Sequence, residues 1–405
     1  MVTALGLCLA VAAAATCKRD ATAARATSRP NVVLITLDTT RADRLGCYGY
    51  ASPVSEHLDR LAAQGVLFTR AFSQAAVTPV SHASILTGLE PYEDGLRVMH
   101  GVSENQLPTA TRTLAEVLCE AGYRTAAFVS AFPVTAHFGL NQGFETFDED
   151  FARGAADPIS SQGIVETDRV QRRGGETTDR ALRWLADAGS PYFLWVHYFD
   201  PHDPKLLPPD EFTARYPQPT GREEDILRAW YDIEIAYMDT QIGRLFLALE
   251  EAGRWSDTVI VAVADHGEGL GDHDWWTHGI LYQEQIRVPL IIRAPGRNPA
   301  TRVDHLVRTI DIMPTVLALA GVDQAQWPRM SGQSFLPLLD GKGSDPGNVA
   351  YADSVNRLTY TFTPAIRDVK DEMLFAVVDR FYRVLIEYSE NVMLHQEVRA
   401  SQKRP

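Results

Sequence analysis

Three apolar runs, each closing on acids or histidines, constrain this chain more than any other feature. Val32-Val33-Leu34-Ile35-Thr36-Leu37 ends on Asp38, and Tyr192-Phe193-Leu194-Trp195-Val196-His197-Tyr198-Phe199 ends on Asp200-Pro201-His202. Val259-Ile260-Val261-Ala262-Val263-Ala264 ends on Asp265-His266-Gly267-Glu268. A run with so little polar alternation is the pattern of a strand buried on both faces in a parallel sheet. Helical patterns separate the runs: Glu56 to Gln64, Thr113 to Ala121, Glu176 to Ala188, and Glu223 to about Glu251, where Met238, Ile242, Leu245 and Leu249 recur at helical spacing. Such alternation predicts an α/β fold, a doubly wound, mixed but mostly parallel sheet flanked by helices. Ligands of open α/β sheets bind at the carboxyl ends of the strands, so the acids and histidines are expected to meet at one edge.

A second stretch places a hydroxyl near them: Val77-Thr78-Pro79-Val80-Ser81-His82-Ala83-Ser84-Ile85-Leu86-Thr87-Gly88. Thr78 reads as N-cap, Pro79 as the first helical position and Gly88 as the stop. A hydroxyl at the positive end of a helix either caps it or faces an anion gathered by the free backbone N–H groups. In the second case it can attack a phosphate or sulfate ester. Asp38, Asp265 and His266, with the Thr78 oxygen, suit one divalent cation, which supplies the activation a threonine hydroxyl lacks at neutral pH. The nitrogen donor favours Mn²⁺ or Zn²⁺, while Ca²⁺, which prefers an all-oxygen shell, is also admissible. Three more histidines are candidate catalytic residues. His82 lies one turn beyond Thr78 and could reach the same anion. His202 and His278 could bind the ester, protonate the leaving group or hold a second cation.

With 405 residues, 45% of them hydrophobic, the chain can bury a large core. A formal net charge of −14 argues against a nucleic-acid partner. Residues 1–17 read as a signal peptide, and Ala14-Ala15-Thr16-Cys17 loosely resembles the lipobox of bacterial lipoproteins. The expectation is an exported, envelope-associated protein with membrane attachment through a lipidated Cys17. Residues 18–29 read as a tether, 30–340 as the catalytic domain, and 341–405 as a small antiparallel C-terminal subdomain. The stretch from Asp148 to Arg173, which has few apolar runs, reads as a long surface excursion near the site edge.

From Arg29 to about Val322 the chain resembles the sulfatase branch of the alkaline phosphatase superfamily. The resemblance rests on Pro30-Asn31-Val32-Val33-Leu34-Ile35 through Asp38, Leu45-Gly46-Cys47-Tyr48-Gly49, Leu86-Thr87-Gly88, Ala264-Asp265-His266-Gly267-Glu268, the run from Leu281 to Ile292, and Thr309-Ile310-Asp311-Ile312-Met313-Pro314-Thr315. It implies an alkaline-phosphatase-like fold and metal-assisted attack on a tetrahedral anion. In that family the nucleophile is a Cys or Ser oxidised to formylglycine within a Cys-x-Pro-Ser-Arg pattern. The matching positions here are Thr78, Val80, Ser81 and His82, and threonine cannot be so converted. A second metal-binding Asp of the family is Thr39 here, and a substrate-binding Lys is His278. Threonine nucleophiles are the habit of relatives that act on phosphorus, among them phosphodiesterases, phosphonate hydrolases, phosphoethanolamine transferases and lipoteichoic acid synthases. The expected activity is hydrolysis of a sulfate or phosphate ester of a small molecule, glycan or lipid through a covalent intermediate on Thr78. Two alternatives stand beside it: a phosphoethanolamine- or glycerophosphate-type transferase of the cell envelope, and a non-catalytic binder of sulfated or phosphorylated glycans.

Overall fold

A computed structural model of the protein describes residues 29–96, 98, 106–151, 170–202, 206–297, 299–343, 350–354, 374–378, 383–388 and 398–399. The leader, nearly all of the tether and most of the excursion after Asp148 lie outside the described residues.

The strands of the main sheet, in chain order, are β1 (Asn31–Leu37), β2 (Val66–Phe72), β3 (Arg124–Phe128), β4 (Thr146–Asp148), β5 (Tyr192–Tyr198), β6 (Thr258–Ala264), β7 (Arg287–Arg293), β8 (Thr301–Val303) and β9 (Val307–Arg308). They are ordered β4-β3-β5-β1-β6-β7-β2-β8, with β9 also paired to β2. The three apolar runs, β5, β1 and β6, are adjacent and parallel, and every residue of each is buried. Such strands occupy the middle of a sheet because neither face carries a group that must meet water. Only β7 runs against its neighbours β6 and β2, so the sheet is mixed and mostly parallel.

Register carries this arrangement to function. Leu37 of β1 lies opposite Tyr198 of β5 and opposite Ala264 of β6. The next residues along, Asp38, Phe199-Asp200 and Asp265-His266, therefore leave the sheet at one level of one edge.

Helices pack around this sheet close to the positions expected, at Glu56–Gln64, Leu114–Glu120, Gly174–Asp187 and Glu223–Glu251, and a further one spans Ile312–Leu319. The longest buries Met238, Ile242, Leu245 and Leu249, the stripe read from the sequence, and Ile235 one turn before it. From the same helix the Asp239 carboxylate accepts the backbone N–H groups of His57 and Leu58, each at 2.9 Å, and so caps the helix Glu56–Gln64. Beyond the main sheet, β10 (Ala350–Ser354), β11 (Leu374–Val378), β12 (Arg383–Tyr388) and β13 (Val398–Arg399) form an antiparallel sheet in that order. Ala350 and Ala352 seat β10 against Phe72, Leu281, Ile286 and Leu306.

Candidate active site

The helix Thr78–Thr87 is buried along its whole length and ends at Gly88, whose φ of 68° supplies the left-handed stop. Its N-cap is Val77, with φ −141° and ψ 123°, and not Thr78 as expected. Thr78 already has helical geometry, so its hydroxyl cannot turn back to cap the helix. Freed from capping, Thr78 Oγ1 lies 3.2 Å from His266 Nε2. Two further contacts hold this helix to the end of β6. Ser81 Oγ donates to the Asp265 carbonyl at 2.7 Å and lies 3.0 Å from Ser73 Oγ. His82 Nδ1 donates to the Thr78 carbonyl at 2.8 Å and sits 3.5 Å from Asp265 Oδ2.

Asp38, Asp265 and His266 each offer a ligand atom, all within 4.8 Å of one another, and all three residues are buried. Local hydrogen bonds decide which atoms those are. His266 Nδ1 donates to the Gly267 carbonyl at 3.0 Å, which leaves a lone pair on Nε2, the nitrogen facing Thr78. Asp265 Oδ1 accepts from the backbone N–H groups of Thr39 at 3.1 Å and His266 at 2.8 Å, while Oδ2 has no hydrogen-bond partner. The Ser130 N–H donates to His197 Nδ1 at 3.3 Å, so His197 carries its proton on Nε2 and gives it to Asp38 Oδ2 at 3.0 Å. Asp38 Oδ1 is left without a partner, as is Thr39 Oγ1. Thr39 holds a φ of 51°, strained for a β-branched residue, and its carbonyl is fixed by Tyr231 Oη at 2.8 Å. Tyr231 Oη in turn accepts the Arg41 N–H at 2.9 Å, which anchors the loop leaving β1.

Burial raises the pKa of Asp38 well above the carboxylate range, partly opposed by His278 and the Thr78 hydroxyl. Burial, and then Asp38 itself, does the same to Asp265. Burial lowers the pKa of His266 and His82 well below the ordinary value and takes His197 down to about 3. Two carboxylates with orphaned oxygens and a neutral imidazole lone pair are a donor set that a divalent cation satisfies. Among the described residues it is the single group of its kind.

Beside this set, Thr78, His202 and His278 form one end of a cavity of about 240 Å³. The His278 ring lies 5.0 Å from that of His202 and 4.6 Å from that of His266. His278 Nδ1 is 3.2 Å from Glu268 Oε2, leaving Nε2 for a ligand. Burial disfavours the charged His278, but Glu268, Asp38 and Asp265 outweigh it and raise the pKa above the ordinary value. His202 stacks on Phe199 at 4.1 Å, with burial lowering its pKa well below the ordinary value.

His82 departs from its expected role. The described cavity wall does not include it, its ring lies 5.1 Å from His197 and 5.6 Å from Trp195, and its Nε2 has no partner. One helical turn carries it behind Thr78, where its proton goes to that residue's own carbonyl. His197, Glu268 and Tyr231 escaped the sequence reading as site residues. A histidine within an apolar run was the available signal for His197, and the Asp265-His266-Gly267-Glu268 turn was the signal for Glu268. Tyr231 gave none, since it is one aromatic among many on a long helix.

Comparison with known proteins finds that a family described as "Sulfatase" matches residues 30–322, and one described as "N-sulphoglucosamine sulphohydrolase, C-terminal" matches residues 271–398. An arylsulfatase of Clostridium perfringens is 28% identical over 372 residues, covering 73% of this chain and 75% of that protein. Among solved structures, a phosphonate monoester hydrolase of Agrobacterium radiobacter superposes with a TM-score of 0.71 at 23% identity, over 89% of this chain and 87% of the other. Another, in complex with its substrate D-glucosamine-2-N,6-O-disulfate, has a TM-score of 0.68 at 21% identity, over 90% of each chain. At these identities the solved structures speak for the shared fold alone.

Proposed function

The chain belongs to the sulfatase family, and from that premise we propose that it hydrolyses a sulfate or phosphate ester with Thr78 as the nucleophile. The observation that carries this reading is the Thr78 hydroxyl, excused from capping and held 3.2 Å from the His266 lone pair at the end of a cavity. Asp38, Asp265 and His266 would hold a divalent cation, which when bound supplies positive charge to stabilise an alkoxide and to polarise the non-bridging oxygens of an ester. The helix Thr78–Thr87 points its N-terminus at the same place and favours an anion there.

In the proposed reaction Thr78 Oγ1, its proton given up to solvent beforehand, attacks as the alkoxide and forms a bond to phosphorus or sulfur as the bond to the alcohol oxygen breaks. The departing oxygen takes a proton from His278, whose Nδ1 is steadied by Glu268. Water then attacks the Thr78 ester, gives its proton back to His278, and leaves sulfate or phosphate with Thr78 restored. His202, stacked on Phe199, stands nearby as a neutral N–H donor to a non-bridging oxygen. His197 and His82 keep Asp38 and Thr78 in place without touching substrate.

Turnover of aryl phosphate monoester, aryl phosphodiester and aryl sulfate, each with Mn²⁺, Zn²⁺ or Ca²⁺, tests the reading. At least one ester is turned over by the wild type, and Thr78→Ala lowers kcat by about a thousandfold or more. Undiminished turnover by Thr78→Ala removes the assignment. Product that accumulates only when an acceptor alcohol is supplied favours transfer over hydrolysis. The apolar leader ending at Cys17 supports export with lipid attachment, and a Cys17→Ser variant is then released from the membrane fraction that retains the wild type.

A further inference from the structure

The cavity above Thr78 is divided sharply by chemistry. Its reactive end holds Thr78, His202 and His278, and the rest of its described wall is almost entirely carbon. Phe132 and Pro133 come from the loop after β3, Val98 and Val170 from two other segments, and Phe199 from the end of β5. No Lys, Arg, Asp or Glu stands among the described lining residues, and Gln171 is the one uncharged polar side chain away from the reactive end. The wall is also built. The Phe132 N–H is bonded to the Val170 carbonyl at 2.9 Å, and Ala131 bridges Gln171, so the two loops that carry the apolar side chains are tied together. At about 240 Å³ the cavity is smaller than most ligand pockets, which run roughly 300–1,000 Å³.

We propose that the organic group of the ester is a single apolar ring or branched alkyl group, seated between Phe132, Val98 and Val170, and not a sugar. The proposal rests on the hydrolase reading only in taking Thr78 to mark the reactive end. A sugar presents a hydroxyl on nearly every carbon, and each loses its water against described lining residues that offer Gln171 alone in return. An apolar ring loses nothing polar and gains burial. The same division places the anion beside Thr78 at the helix N-terminus, and the carbon where the carbon is. This separates the chain from the structural neighbour in complex with a disulfated glucosamine.

Phosphonates, which cannot be hydrolysed at the carbon–phosphorus bond by this route, read the pocket independently of turnover. Calorimetric titration of the full-length, Mn²⁺-loaded protein compares benzylphosphonate, methylphosphonate and glucose 6-phosphate, the last on Thr78→Ala protein so that it is not consumed. Benzylphosphonate binds at least about tenfold more tightly than methylphosphonate, the gain expected for burying one ring. Glucose 6-phosphate binds no more tightly than methylphosphonate. In Phe132→Ala the benzyl advantage shrinks at least about threefold while methylphosphonate affinity is unchanged. Equal affinity for the two phosphonates, failure of both to bind, or preference for the sugar phosphate overturns the proposal. Should no ester be turned over while benzylphosphonate still binds preferentially, the hydrolase reading fails and the pocket assignment stands.

Discussion

One proton on each histidine organises the candidate site. Because His266 gives its Nδ1 proton to the Gly267 carbonyl, Nε2 must be the acceptor, and because His197 takes the Ser130 N–H on Nδ1, its Nε2 must donate to Asp38. The first histidine thereby has Nε2 open to a cation, and the second orients Asp38, whose other oxygen is open to the same cation. His197→Phe keeps the ring volume and removes the donor, so Mn²⁺ or Zn²⁺ affinity measured by titration falls by about 10–100-fold. Unchanged affinity would show that Asp38 needs no orienting partner. His82 makes a different prediction, since it touches the Thr78 carbonyl and Asp265 but is absent from the described cavity wall. His82→Phe lowers kcat for whichever ester is turned over and leaves KM within about twofold, the signature of a group that positions a nucleophile without binding substrate. A rise in KM at constant kcat would instead put His82 on the substrate.

At the scale of elements, the site depends on how the helix Thr78–Thr87 is fastened to the end of β6. Ser81 Oγ makes the central tie to the Asp265 carbonyl, and Ser81→Ala removes that carbonyl's side-chain donor, while Ser73 keeps its bond to the Ala75 carbonyl, at a cost of about 1–3 kcal/mol in urea unfolding. Full stability in Ser81→Ala would mean that packing alone holds the helix. A second junction is Asp239, which caps the helix Glu56–Gln64 from the long helix Glu223–Glu251. Burial pushes its pKa up to about 7 against the pull of the two backbone N–H groups. The folded protein keeps this proton where the unfolded chain has lost it, from near pH 4 upward. The associated stability is therefore complete below about pH 4 and is lost as pH rises toward 7. Asp239→Asn flattens the slope of unfolding free energy between pH 5 and pH 8, and an unaltered slope would show that Asp239 is ionised when folded.

The same elements show what the sequence makes legible. β1, β5 and β6 were readable because burial on both faces leaves an unbroken apolar run, and Asp38, Asp265 and His266 were readable because each ends such a run. The helix start was misplaced by one residue because threonine before proline satisfies both the capping pattern and the first-turn pattern. Only the backbone angles of Val77 distinguish them. Tyr231 and Ser81 act through hydrogen bonds between segments far apart in the chain, which no local pattern encodes.

On the scale of the whole molecule, one edge of the sheet collects groups from four distant segments, and a divalent cation would offset their mutual repulsion and desolvation. In the proposed reading metal binding is therefore linked to folding. Mn²⁺ or Zn²⁺ at about a hundredfold excess over its Kd adds about 2.7 kcal/mol of stability and raises the Tm by a few degrees, an increment that chelator reverses. A Tm indifferent to both would leave the buried carboxylates unexplained. The central claim, that the Thr78 oxygen itself takes up the transferred group, is tested most directly by acid-quenching the metal-loaded protein during turnover and mapping its peptides by mass spectrometry. The account predicts the mass of one phosphoryl or sulfuryl group on the peptide containing Thr78, absent from Thr78→Ala; turnover with every quenched peptide unmodified, or with the group on another residue, would contradict it.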